Sequence, residues 1–264
     1  MSSLFTITLE TYTGRDALVE VPGGIVKLGG RSFTNNRYVK EVILPEGLED
    51  IDDEAFSACV NLRRVYIPST VRRIGAGAFK GCWRLEDVSV PQGVTELGDR
   101  TFSRCRSLKS LDLPEGLVSI GDACFQNAAL EHIGLPSTLE RIGTGAFNNC
   151  RTLVLESLPN NLETIEDEAF KGCESLTELE LPESVGWIGR RCFKNCKALF
   201  SVALPQGIEF IEEGVFEGCV SLDAVLISND LTHVEAGAFA GTGLKRSDIA
   251  FPEECVIDSN AFDA

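Results

Sequence analysis

The sequence has little histidine, a residue on which many catalytic and metal-binding sites depend. It contains two histidines, His132 and His233, and ten cysteines without a single Cys-x-x-Cys pair. A zinc site is not expected, because such sites need clustered cysteine and histidine ligands. The sequence also lacks the Gly-x-x-x-x-Gly-Lys-Ser/Thr phosphate loop, and its motifs bring no acid, base and nucleophile together. We therefore predict no catalytic residues, no cofactor, no metal site and no enzymatic activity.

Basic residues are also scarce. The 24 lysines and arginines are outnumbered by 40 aspartates and glutamates, which gives this acidic protein a formal net charge of −16. A field of that sign repels nucleic-acid phosphates and anionic lipids, so neither is an expected partner. No stretch approaches the ~18 consecutive apolar residues of a membrane span, so membrane insertion is not expected either.

What the sequence does contain is a regular repeat. Phenylalanine recurs every 23 residues, with one interval of 22 between Phe125 and Phe147. The eleven positions are Phe33, Phe56, Phe79, Phe102, Phe125, Phe147, Phe170, Phe193, Phe216, Phe239 and Phe262. Proline follows the same rhythm from Pro22 to Pro205. A period of this length indicates stacked structural repeats.

One repeat, read from Leu62, is Leu-x-x-Val-x-Ile-Pro-x-x-Val-x-x-Ile-Gly-x-x-Ala-Phe-x-x-Cys. Its first segment ends in an alternating pattern and a proline, which is typical of a short strand closed by a turn. The remaining apolar residues fill the opposite wall, so a coil buries its interior only by stacking on its neighbours. The predicted fold is a solenoid of about ten stacked 23-residue coils, mostly strand and turn, with a parallel β-sheet on one face. Residues 1–21 are predicted to form a capping strand or hairpin, and residues 22–264 the solenoid, whose last coil is partial.

These motifs resemble the BspA-like class of leucine-rich repeats, found in bacterial surface antigens and in some protist proteins. The resemblance covers roughly residues 16–262 and rests on the Leu-x-x-Leu-x-Leu-Pro, Leu-x-x-Ile-Gly and Ala-Phe-x-x-Cys segments. It implies a leucine-rich-repeat solenoid with a ligand-binding or adhesive role. It does not identify the ligand, because a fold does not determine a function.

Ten cysteines invite a disulfide interpretation, but their positions in the repeat favour packing. Seven lie three residues after a repeat phenylalanine and form a cysteine ladder: Cys59, Cys82, Cys105, Cys150, Cys173, Cys196 and Cys219. Cys124 and Cys192 occupy a position that holds alanine in other coils, and Cys255 replaces an apolar residue after the proline. All ten are predicted to be free and in the core. Adjacent ladder thiols would lie roughly 5 Å apart, so oxidation is the alternative.

The cysteines also bear on location. Free thiols fit a reducing compartment better than an oxidising one. The segment Met1–Glu10 shows neither the basic residues nor the apolar run of a secretory signal. We therefore expect a cytoplasmic protein; a cell-surface or secreted location is the alternative if a leader has been removed.

The repeat register predicts which side chains of the strand segments point outward. The first coils present polar and aromatic residues there, whereas the later coils turn apolar. An apolar stretch on the sheet of a repeat protein is where a ligand is usually received. The candidate partner-binding residues on this face are Arg63, Arg64, Tyr66, Leu155, Phe200 and Leu226.

A second outward column lies five residues after each proline and ends in Trp187, Phe210 and His233 on consecutive coils. At roughly 5 Å per coil these three side chains are within stacking reach. Either they stack on one another and shield that flank, or they form a binding surface, since tryptophan and phenylalanine are typical interface anchors.

Three acidic runs precede the phenylalanine of their coils: Asp52–Glu54, Glu166–Glu168 and Glu212–Glu213. The simpler interpretation is a solvated surface that keeps the solenoid soluble. A weak divalent-cation site is the alternative.

Two places depart from the repeat. Glu156 stands where other coils have an inward leucine or valine, and an isolated buried carboxylate is costly. We therefore expect a bulge that turns Glu156 outward and a slight kink of the solenoid near residues 126–158. The last coil stops soon after Phe262. We therefore expect either that self-association or a partner covers the C-terminal end, or that the chain was cut from something longer.

Two functions remain open. The leading hypothesis is a non-catalytic protein–protein interaction scaffold or adhesin-like module that uses the exposed faces of the solenoid, with another protein as its partner. The alternative is a glycan-binding repeat protein that uses the exposed aromatic residues Trp187, Phe210 and Phe200.

Overall fold

The computed structural model describes residues 7–263. They form a solenoid of about 11 turns built from short strands and turns, so the predicted solenoid is confirmed. The helical content of the described residues is a single 3-10 turn at Arg246–Asp248. Within the same range, no helix is long and apolar enough to cross a membrane.

Each complete coil contributes up to two short strands, one on each of two walls. In chain order the strands are β1 (Thr8–Leu9), β2 (Leu18–Glu20), β3 (Lys27–Leu28), β4 (Glu41–Ile43), β5 (Asp50–Ile51), β6 (Arg64–Tyr66), β7 (Arg73–Ile74), β8 (Asp87–Val88), β9 (Glu96–Leu97), β10 (Ser110–Asp112), β11 (Ser119–Ile120), β12 (His132–Gly134), β13 (Arg141–Ile142), β14 (Thr164–Ile165), β15 (Glu178–Glu180), β16 (Trp187–Ile188), β17 (Ser201–Ala203), β18 (Phe210–Ile211), β19 (Ala224–Leu226), β20 (His233–Val234) and β21 (Val256–Ile257).

The strand face, which begins at β2, consists of three parallel sheets in series: β2-β4-β6-β8, β10-β12 and β15-β17-β19. A second wall adds two further parallel sheets, β1-β3-β5-β7-β9-β11-β13-β14-β16 and β18-β20-β21. The sequence predicted a parallel sheet on one face. The second wall extends that prediction, because the segment after each proline is also straight enough for two residues to pair with the next coil.

Stacked phenylalanines fill the interior between the two walls. The rings from Phe33 to Phe239 are fully buried. The centroids of successive rings lie between 4.9 Å, for Phe33 and Phe56, and 5.8 Å, for Phe193 and Phe216. This spacing matches the distance between neighbouring strands, so one aromatic ring per coil makes a continuous core.

Aromatic side chains also cover both ends of this stack. Tyr12 packs against Phe33 with centroids 5.0 Å apart, and Phe262 stacks on Phe239 at 5.0 Å. Phe251 meets Phe262 edge to face at 6.3 Å. The described N-terminal segment forms an incomplete coil and not a hairpin, because β1 pairs in parallel with β3. The division of the chain at residue 21 and self-association through the C-terminal end stay predictions.

All ten cysteines are free and buried, as predicted. Each member of the cysteine ladder donates a hydrogen bond from its thiol to the carbonyl oxygen of the phenylalanine one coil earlier, at 2.9–3.3 Å. Each of these carbonyl oxygens also accepts a hydrogen bond from a backbone N–H of its own coil, so the ladder adds a second hydrogen bond between coils in addition to filling space.

Close contact between coils explains the Ile-Gly step of the repeat. At Gly75 a Cβ atom would lie 2.6 Å from the backbone nitrogen of Asp53, and at Gly189 it would overlap the corresponding atom of Asp167. Asp53 and Asp167 each accept a hydrogen bond from a backbone N–H of the following coil, at Ala76 (3.0 Å) and Arg190 (2.7 Å). The glycine leaves room for this aspartate.

The strand face is interrupted at the coil that carries Glu156. Residues 154–156 form no strand, and the sheets therefore end at β12 and begin again at β15. Glu156 is exposed as predicted, while Leu155 is half-buried against the core. Leu155 thus makes the apolar core contact at the position where the repeat places Glu156, which avoids burying an unpaired charge. The kink of the solenoid near residues 126–158 stays a prediction.

Candidate interaction surfaces

The second wall carries the aromatic column predicted from the sequence. Trp187 begins β16 and is 42% exposed, and Phe210 begins β18 and is 41% exposed. His233, at the start of β20, is also exposed and stacks on Phe210 with ring centroids 5.4 Å apart. Stacking within the column therefore joins Phe210 to His233.

A crevice separates Trp187 from Phe210. The second wall is divided here: β16 ends one sheet and β18 begins the next, without backbone pairing between these two described strands. The crevice has a volume of about 300 Å³ and is lined by Gly186, Trp187, Ile188, Gly207, Ile208, Glu209 and Phe210. The two aromatic side chains thus flank an opening that the sequence did not predict.

The strand face of the last coils is moderately apolar. Phe200, just before β17, is 50% exposed, and Leu226, at the end of β19, is 70% exposed. Leu226 pairs in register with Ala203. These residues lie on the strand face and the aromatic column lies on the second wall, so the candidate residues form two surfaces and not one site.

Leu155 contributes little to either surface. It was expected among the outward side chains, but it is half-buried because it takes over the core contact that Glu156 gives up. Its neighbour Val154 is 40% exposed. A crevice of about 350 Å³, lined in part by His132, Val154 and Glu156, opens at this interruption of the strand face.

The N-terminal candidates lie on the strand face of an earlier coil. Tyr66 is 48% exposed and pairs in register with Ile43, which is 37% exposed. Arg64 lies between two carboxylates, 4.0 Å from Glu41 and 3.7 Å from Asp87. Arg63 is exposed. Since Arg64 is already engaged by acidic neighbours, Tyr66 and Ile43 are the apolar elements of this surface.

Sequence analysis missed two exposed aromatic residues, Tyr38 and Trp83. Trp83 is 49% exposed, and the guanidinium carbon of Arg106 lies 5.3 Å from the centroid of its ring. Trp83 directly follows a ladder cysteine, a position that holds arginine or lysine in several other coils, such as Arg151 and Lys197. A tryptophan in such a column was the signal that could have revealed it.

The acidic runs are engaged by basic side chains of adjacent coils. Arg73 contacts Asp50, Asp52 and Asp53 at 2.9, 2.9 and 2.7 Å, and Lys27 contacts Asp52 at 2.9 Å. Partial burial works to raise the pKa of Asp52, but hydrogen bonds from Lys27 and Arg73 outweigh it and hold that pKa well below the usual value.

The other two runs follow the same arrangement. Arg141 contacts Glu166 at 3.2 Å, and Arg190 contacts Glu212 at 3.3 Å. Glu212 is largely buried, and burial raises its pKa while Arg190 opposes the shift. Within residues 7–263 no three histidine, cysteine, aspartate or glutamate side chains are grouped so that they could hold a metal ion. The runs serve as partners for arginine and lysine.

Comparisons with known proteins match this architecture. The family model of the BspA type leucine rich repeat region matches residues 26–154 and 155–264 in 6 copies. Among curated proteins, no significant match to the chain was found.

Two solved structures are similar along most of their length. A leucine rich cell surface protein from Faecalibacterium prausnitzii is 28% identical, with a TM-score of 0.54 over 91% of this chain and 83% of that one. A leucine-rich repeat protein from Bacteroides ovatus is 23% identical, with a TM-score of 0.62 over 96% of this chain and 87% of that one, and supports the fold alone. The repeat motifs, the stacked coils and the family model agree, and the chain belongs to the BspA-type leucine-rich-repeat family.

Proposed function

We propose that this chain is a non-catalytic binding module that captures another protein through exposed side chains of its last coils. The observation that carries the proposal is the pair Trp187 and Phe210, each more than two-fifths exposed on either side of a crevice of about 300 Å³. Large aromatic side chains dominate interface energetics when a partner covers them. A solenoid wall needs no aromatic residue there, since earlier coils carry Arg73 and Glu96 in the same column.

The strand face offers a second contact area for the same module. Phe200 and Leu226 are exposed beside small residues such as Ala203 and Ala224. Small neighbours leave the two larger side chains accessible, and an apolar stretch on a repeat protein's sheet is a usual place for a ligand. Adhesin-like use of these surfaces is supported by the Faecalibacterium prausnitzii protein, which is described as a cell surface protein.

Glycan binding is the second candidate function, and the shape of the crevice favours it. A pocket between two aromatic faces with a carboxylate at its edge, here Glu209, can stack on a sugar ring and accept hydrogen bonds from its hydroxyl groups. The protein partner has priority because exposed apolar residues extend to the strand face, well beyond the dimensions of one crevice.

The burial of the cysteines also bears on where the protein is located. Ten free thiols suggested a cytoplasmic location, but all ten are buried, and burial protects thiols from oxidation. The number of cysteines is therefore compatible with both compartments. We propose a cell-surface location, in line with the similarity to the Faecalibacterium prausnitzii protein.

Trp187→Ala and Phe210→Ala, singly and together, test the proposal. The immobilised wild-type chain and the variants are incubated with surface proteins of the native source, and the bound proteins are identified by mass spectrometry and re-tested in purified form. Tyr38→Ala, which removes an equally exposed aromatic residue from the N-terminal part, is the control. We expect the double variant to lose the partner and the control to keep it.

The same variants on a glycan array separate the two functions. Selective sugar binding that disappears with Trp187→Ala would replace the protein-binding proposal by the glycan proposal. An unchanged set of bound proteins and sugars in the double variant would refute both.

A further inference from the structure

Charge is distributed very unevenly along the solenoid. Residues 1–110 carry 15 lysines and arginines against 14 acidic residues, a net charge of +1, whereas residues 111–264 carry 9 against 26, a net charge of −17. Interactions between exposed charges fade beyond about 8 Å at physiological ionic strength. A basic area in the first part therefore acts locally, although the whole chain is acidic.

Four exposed arginines and one tryptophan lie on two successive coils of this first part. We call them the arginine patch: Trp83, Arg84, Arg100, Arg104 and Arg106. Arg104 and Arg106 flank the buried Cys105 and so emerge from one turn. Arg106 reaches the ring of Trp83 in the preceding coil, 5.3 Å from its centroid.

Two members of the patch have a strained backbone. Arg100 has a φ of 56° and Arg104 a φ of 63°. These are left-handed conformations, which are sterically unfavourable for residues other than glycine. The preceding coil places Gly77 and Gly81 at the two equivalent positions, so glycine is compatible with the fold at both.

The other charged residues with a positive φ form ion pairs with neighbouring side chains. Arg31 contacts Glu54 at 2.9 Å, Glu168 contacts Lys171 at 2.7 Å, and Arg191 contacts Glu213. Across residues 7–263, the side chains of Arg100 and Arg104 make neither an ion pair nor a hydrogen bond within the chain. The positive φ itself belongs to the coil, since Ala58 and Ala123 adopt it at the same two positions. What distinguishes Arg100 and Arg104 is that their exposed guanidinium groups are not engaged within the described residues and are available to a partner.

We propose that the arginine patch binds an acidic segment of another protein. This goes beyond the proposed function, because the patch lies on different coils from the aromatic column and fits a ligand of different chemistry. The planar guanidinium group matches a carboxylate in a bidentate geometry, and arginine and tryptophan are the residue types enriched at the centres of protein interfaces.

The size of the patch favours a short protein segment over a long polyanion. Two coils span about 10 Å along the solenoid at the strand spacing. A nucleic acid or a sulfated polysaccharide would extend past them onto the acidic coils that follow. A short run of glutamate or aspartate side chains fits within the basic area.

The test uses a fluorescein-labelled glutamate-rich peptide, its glutamine counterpart, and fluorescence anisotropy. The variant combines Arg100→Gly with Arg104→Gly, which removes both charges and supplies the residue that other coils have. Arg191→Gly is the matched control, since it alters a left-handed arginine in the acidic part. We expect the wild type to bind the glutamate peptide and not its glutamine counterpart. The double variant should bind the glutamate peptide at least about tenfold more weakly, and the control should bind it like the wild type.

Thermal unfolding of the same proteins completes the experiment. We expect the double variant to unfold at the wild-type temperature or above, because glycine relieves the strain. A lower unfolding temperature would mean that the arginines serve the fold and would overturn the proposal. So would equal peptide binding by the double variant, no binding by the wild type, or tighter binding of heparin or single-stranded DNA than of the peptide.

Discussion

The thiol of Cys82 donates a hydrogen bond to the carbonyl oxygen of Phe56, one coil earlier, at a distance of 3.1 Å. Both residues are fully buried. The same carbonyl already accepts a hydrogen bond from the backbone N–H of Cys59 in its own coil, at 3.1 Å, so the thiol of the following coil occupies its second acceptor position. The cysteine ladder is therefore a chain of donors that joins each coil to the previous one, and it explains why the position is so often cysteine and not an aliphatic residue.

Removal of one ladder thiol should destabilise the fold more than removal of a cysteine that only fills space. We expect Cys82→Ala to lower the free energy of unfolding by about 2 kcal/mol, because it leaves a small cavity and removes a buried hydrogen bond between two coils. Cys192→Ala is the control: it removes the same atoms where other coils, such as that of Ala169, already have alanine. Its expected cost is about 1 kcal/mol. Equal losses in urea unfolding would contradict the role of the hydrogen bond.

The ladder thiols should be unreactive in the folded protein. Burial raises the pKa of Cys59 and of Cys219 to about 12, so almost no reactive thiolate is present at pH 8. We expect iodoacetamide to label Cys255 first, since it is the least buried of the ten, and all ten only after unfolding. Peptide mapping by mass spectrometry gives the order, and rapid labelling of a ladder cysteine in the native state would disprove this prediction.

The glycine of the Ile-Gly step should not tolerate a side chain. Gly189→Ala would place a Cβ against the backbone of Asp167, and we expect a loss of about 1–3 kcal/mol from the overpacking. Gly186, three residues earlier, has open space around the position of a Cβ. Gly186→Ala should therefore be nearly neutral. Thermal unfolding of the two variants compares them directly, and a similar loss in both would mean that close contact between coils is not the reason for the glycine.

The ion pairs of Arg73 should make stability sensitive to acid. The pKa of Asp52 is lower in the folded than in the unfolded chain, so its charged form stabilises the fold above the ordinary carboxyl pKa of about 3.9. That contribution is lost as the pH falls towards the folded-state pKa.

We expect Arg73→Ala to cost about 1 kcal/mol at neutral pH, since these pairs are partly exposed. Because Asp52 then titrates closer to its ordinary pKa, the difference from the wild type should shrink as the pH falls through this range. Circular dichroism against pH measures both quantities. Arg63→Ala, which removes an exposed arginine from the strand face of the same coil, should leave both unchanged; a constant difference at all pH values would contradict the assignment.

The fold could be predicted from the sequence because its periodic residues leave few alternatives. Phe56, Phe79 and Phe102 recur at a constant interval, and only stacked coils bring such residues together in one core. The same register placed all ten cysteines inside and Glu156 outside, and the structure agrees. It also placed Trp187, Phe210 and His233 in one exposed column.

What the sequence did not predict depends on how neighbouring coils fit against each other. The exchange of Glu156 for Leu155, the division of the second wall between Trp187 and Phe210, and the contact of Trp83 with Arg106 are examples. The residue pattern alone specifies the repeat, its register and the interior, because a buried position must be apolar in every coil. Which backbone segments pair and which exposed side chains meet is visible only in the folded chain, because these contacts depend on small shifts between coils that the residue pattern does not record.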